Sequence, residues 1–128
     1  MNAGTQLTAA PVVIPPLNKG ELWAGVVSIG TQLHHVILLS GEFEGNWNES
    51  IAWAKEQGGD LPSPLEQKLL FVNLENQFKP EWYWSGAPLA SSESYAWMQN
   101  FHLGAQRYDL KVSYARARAV RRLPIPVI

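Results

Sequence analysis

Acid–base or metal chemistry in this 128-residue chain would fall to three histidines and a scatter of carboxylates, and their spacing speaks against both. His34 and His35 are adjacent in a run of β-formers, so in a strand they point to opposite faces and cannot share a metal. One packed and one exposed histidine is the expectation, with His102 standing alone. Glu42, Glu44, Glu81, Glu93 and Asp109 show no spacing that would aim two carboxylates into one cleft, as glycoside hydrolysis requires. No serine or histidine occupies a nucleophile context. Cysteine is absent, which excludes disulfides, thiolate zinc sites and a thiol nucleophile. The chain therefore reads as a protein that is not an enzyme, with no cofactor and no metal.

Contact chemistry is better represented. Between Glu81 and Arg122 lie three of the six tryptophans, all four tyrosines and all five arginines. Tyr95, Gln99, Asn100, His102, Gln106, Arg107, Tyr108, Lys111 and Tyr114 are long, polar or amphipathic side chains of the kind that make adaptable binding surfaces. They are the candidate ligand-binding residues. The competing reading is an ordinary solvated sheet face. Trp84, Trp97, Phe101 and Val120 are expected to be framework, together with Arg118 and Arg121, whose guanidinium groups suit bidentate pairing with acids or carbonyls. Residues 107–122 carry six basic groups against one acid. That balance suits an interaction face or a local salt-bridge scheme, and strand-like spacing of the arginines favours the second, so nucleic acid is set aside as a partner.

The elements that must position these residues follow from pattern. Residues 1–20 hold Pro11, Pro15 and Pro16 and read as an extended arm. Leu22–Ile29 and Leu33–Leu39 predict a hairpin around Gly30-Thr31-Gln32. Ser40–Gly45 reads as a loop. Asn46 with Glu49, and Ser63-Pro64 with Glu66, are capping boxes that start two helices. The first ends at Gly58-Gly59 and the second before Lys79-Pro80, with Leu65, Leu69, Val72 and Asn76 predicted as one face and Leu70 and Leu74 broadening it. Short strands are expected at Trp82–Ser85, Tyr95–Phe101, Ala105–Lys111 and Ala115–Leu123, the last with Ala115, Ala117 and Ala119 on a closely approached face. Residues 124–128 form an apolar extended tail. Strands, two helices and strands make a single α+β domain over residues 21–123. No run approaches membrane-spanning length, and the N-terminus lacks the pattern of a secretion signal, so a bacterial cytoplasm or a virion is the expected location.

Several motifs also occur in a recognisable order: Trp53-Ala54, Gly59-Asp-Leu-Pro-Ser-Pro-Leu-Glu66, Tyr83-Trp84-Ser85, Ala96-Trp97, Phe101 with Gly104, and Arg118-Ala-Val-Arg121. Over Leu22–Leu123 the set resembles the legionella-collagen-like C-terminal domain family, found in bacteria and phages and without a known biochemical function. The resemblance implies a C-type-lectin-like fold, with two helices, a small mixed or antiparallel sheet joining the terminal strands, and an irregular second sheet. It also implies kinship with retroelement variable proteins, which display ligand-binding residues on the later strands. Trp47-Asn48-Glu49 is similar to a calcium-lectin triplet but falls at a predicted helix start, so calcium-independent recognition is expected. The resulting expectation is a phage- or prophage-type binding module that recognises a protein or glycan through residues 95–114. Its alternative is a structural subunit of a virion or assembly, forming a homo-oligomer through the N-terminal arm.

Overall fold

The computed structural model describes residues 13–126. In chain order the elements are β1 (Leu22–Ile29), β2 (Gln32–Leu38), β3 (Phe43–Gly45), α1 (Trp47–Glu56), α2 (Pro64–Leu74), a 3-10 turn (Glu75–Gln77), β4 (Trp82–Pro88), β5 (Tyr95–Asn100), β6 (Gln106–Leu110), β7 (Ala115–Ala117) and β8 (Val120–Ile125). The fold is α+β, as expected. β1, β2 and β8 form an antiparallel sheet that joins the first and last strands, and a second sheet has the order β3-β7-β4-β5-β6. Its one parallel contact joins β4 to β7 at Tyr83 and Arg116.

Both helices begin where their capping boxes dictate. Asn46 and Ser63 each accept from the backbone three residues on, while Glu49 and Glu66 reach back to the cap N–H. Two apolar clusters flank the five-stranded sheet. On one side Trp84, Ala96, Met98, Ala115 and Ala117 pack with Ala54 of α1 and Leu61. On the other, Tyr83 and Phe101 meet Leu70 of α2 and the inward face of the three-stranded sheet, through Ala24, Val27, Val36, Leu38 and Val120.

Four expectations need correction. Ser40–Gly45 is not all loop, because Phe43–Gly45 pairs with β7. The predicted Ala115–Leu123 strand is two strands in different sheets; Ala119 and Val120 are consecutive and both fully buried, which no continuous strand with one buried face allows. That strand also runs on to Ile125, into the predicted tail. The face of α2 differs too: Leu70 is buried as expected, but Leu65, Val72 and Asn76 are exposed, and Glu66 and Gln67 are buried. Glu66 and Gln67 turn inward to partners that satisfy them. Residues 1–12 of the arm and 127–128 of the tail lie outside the described residues.

Candidate functional site

Strands β5 and β6 form a hairpin in which Tyr95 opposes Leu110, Trp97 opposes Tyr108 and Gln99 opposes Gln106. Alternation puts these six side chains on the α2 side of the sheet, and Asn100, Arg107 and Lys111 on the α1 side. The nine candidate residues therefore do not make one surface. Tyr108 stands edge-on to both Tyr95 and Trp97, with ring centroids 5.4 and 5.5 Å apart. It is 51% exposed. Leu110, Val112 and Tyr114 continue the apolar exposure along the same stretch, and Leu103 adds to it in the preceding turn.

Trp97 belongs to this surface, which corrects its reading as framework: it is only partly buried and forms one wall of the aromatic cluster. The signal was present in the sequence. Tyr95-x-Trp97 and Tyr108-x-Leu110 must face each other once the turn before Gly104 fixes the hairpin register.

Gln99 leaves the candidate list. It is fully buried, donates through Nε2 to the Gln67 carbonyl at 2.7 Å, and accepts from Gln106 Nε2 at 2.9 Å. Gln106 also donates to the Pro64 carbonyl, 2.8 Å away. Gln67 in turn donates to the Tyr83 carbonyl at 3.1 Å. Three glutamines thus tie the first turn of α2 to β4, β5 and β6, and hold the aromatic cluster to the core. Asn100 is spent on its own turn, accepting from the His102 N–H at 2.6 Å, and His102 is exposed. On the opposite face the Arg107 guanidinium lies 4.0 Å from the Trp82 ring centroid and the Lys111 ammonium 4.6 Å from that of Trp47.

β6 is an edge strand whose outward backbone is capped at Leu110. Asn100 donates to the Ala105 carbonyl and Lys111 to that of Ser94, which turns the main-chain groups of Gln106, Tyr108 and Leu110 away from β5. Asp109 Oδ1 accepts the Leu110 N–H at 2.7 Å, and the Leu110 carbonyl accepts from Ser113 at 2.9 Å. Such self-capping closes the Leu110 end of the edge to a further strand.

The arginines follow the salt-bridge scheme. Arg121 forks onto Glu21 at 2.8 and 2.9 Å and donates to the Pro16 carbonyl, fastening the arm. Its hydrogen bonds hold the Glu21 carboxyl down at about 2. Arg118 donates to the Leu39 and Gln77 carbonyls, and burial lowers its pKa from the ordinary value. Arg116 pairs with Glu81 and lies 3.8 Å from Glu42. Arg122 forks onto buried Glu66 at 2.7 Å through both Nε and Nη2 and reaches Asp60 at 3.1 Å. Burial opposes the Glu66 charge, but donation from Arg122, the Ser63 backbone and His34 outweighs it and brings the carboxyl to about 2. The histidines part to opposite faces as expected, although His35 is half-buried and not exposed. His34 is buried 2.9 Å from Glu66, while His35 faces outward and accepts the Trp23 indole N–H at 3.0 Å. Among the described residues no three His, Cys, Asp or Glu side chains gather to hold a metal.

Comparison with protein-family models and with curated proteins found no match for this chain. The family resemblance therefore rests on the ordered motifs alone.

Proposed function

We propose that this domain is a binding module with a C-type-lectin-like fold, of phage or prophage type, that captures a protein partner through the aromatic face of β5 and β6. One observation carries the reading: Tyr95, Trp97 and Tyr108 form a cluster beside exposed Leu110, and exposed Val112 and Tyr114 follow it in the chain. Rigid aromatic rings supply contact area at low cost in side-chain entropy, and apolar exposure on this scale marks interaction sites. The sheet joining the terminal strands and the two capped helices are in keeping with the C-type-lectin-like architecture. Affinity capture from a bacterial lysate with wild type and a Tyr108→Ser, Tyr114→Ser double variant tests the proposal. Loss of the captured species with an unchanged melting temperature is expected. Equal recovery by both proteins rules the surface out, and a glycan array positive for wild type alone would move the ligand from protein to sugar.

A second reading, a subunit of a larger assembly, draws on other exposed apolar side chains. Val13, Ile14 and Leu17 of the arm, and Leu22, Ile29 and Leu33 of the first hairpin, are all exposed. Uncharged patches of this kind meet copies of themselves without opposing like charges. Sedimentation of wild type and of an Ile29→Lys, Leu33→Lys variant decides it: the assembly reading requires a multimer that the variant reduces to a monomer.

A further inference from the structure

A cleft of about 250 Å³ lies between α1, the interhelical loop, β4 and β8, lined by Ile51, Lys55, Asp60, Leu61, Gly86 and Arg122. It is remote from the aromatic surface and plays no part in the binding proposed above. Asp60 is its fixed point, because backbone bonds in both directions with Val120 hold it beside β8. Around Asp60 the charges are incompletely used. Lys55 spends one of its three N–H donors on Asp60. Of the five donors on Arg122, Glu66 takes two, the Leu61 carbonyl one and Asp60 one, so one remains on Nη1. Each Asp60 oxygen accepts a single bond and keeps room for a second.

We infer that this cleft binds a small zwitterion, a single α-amino acid with an aliphatic side chain. Its carboxylate takes the spare donors of Lys55 and Arg122, its ammonium takes Asp60, and its side chain lies on Ile51 and Leu61. Charge balance selects this class. Lys55 and Arg122 against Asp60 and Glu66 sum to zero, so a lone anion is repelled by Asp60 and a lone cation by Lys55, while a zwitterion satisfies both sides without adding net charge. The volume accommodates a single residue. Gly86 lets β4 run close beside the interhelical loop at this wall, since a Cβ there would sit 3.1 Å from the Leu61 carbonyl oxygen.

The test is an NMR titration of the full chain with L-leucine, L-leucinamide and 4-methylpentanoate, following the amide signals of Leu61 and Gly86. L-Leucine should shift both, and the two singly charged analogues should each need at least about tenfold higher concentration. Lys55→Met, at an exposed position that retains the aliphatic stem, should weaken L-leucine about tenfold or more. No shift with L-leucine at ~20 mM, equal binding of either analogue, or unchanged affinity in Lys55→Met overturns the inference; the analogue comparison needs only the wild-type protein.

Discussion

Two buried polar residues do work that their types would not suggest. Glu66 is 1% exposed and is held by Arg122, His34 and its own cap. Its folded pKa, about 2, lies below the ordinary 4.5, so the unfolded chain binds the extra proton between those values and stability falls as pH drops through that window. On the order of 3 kcal/mol is at stake. Urea midpoints measured from pH 6 to pH 2 should decline below about pH 5 in wild type, while Glu66→Gln should be less stable at neutral pH and show a shallower decline. Gln99 offers a second case. Changing it to Leu strips an acceptor from Gln106 and a donor from the Gln67 carbonyl, and should cost about 1–3 kcal/mol in chemical denaturation. A neutral outcome would mean that the glutamine chain is not what secures β6 to α2.

Helix ends were legible because capping is local chemistry. Ser63→Ala and Asn46→Ala should each lose about 1 kcal/mol of unfolding free energy, since each leaves a helical N–H without its acceptor. The glycine pair after α1 holds more than a stop signal. Gly58 has φ +86°, a conformation that glycine adopts freely. Gly59 is there for proximity: a Cβ would stand 2.3 Å from the Val120 carbonyl oxygen, where the interhelical loop bridges to β8. Gly58→Ala should therefore cost about 1 kcal/mol and Gly59→Ala several times that, read from melting curves of the two variants. Equal losses would show that only local conformation matters at this loop.

Across the molecule, ion pairs tie distant parts of the chain into one unit. Arg121 links β8 to Glu21 and the arm, about a hundred residues apart in sequence. Arg121→Ala should leave the domain's melting temperature within a few degrees but expose the arm, giving faster limited proteolysis around Leu17. Unchanged cleavage would detach the arm's placement from this pair. Because the arginines of residues 107–122 are consumed by such pairs and by carbonyls and rings, the basic run that stands out in the sequence is mostly internal bookkeeping of charge.

By itself the sequence determined what short-range chemistry controls: both capped helices, the hairpin turning at Gly30, the alanine face of β7 and the divergence of His34 and His35. It also carried the α+β order, since the periodicities switch plainly from two to helical and back. Only the tertiary structure decided which polar residues go inside. Glu66, Gln67 and Gln99 are buried because partners from β2, β4, β6 and β8 arrive to satisfy them, and no local pattern announces those meetings. The same holds for Ala119 and Val120, where the chain leaves one sheet for the other.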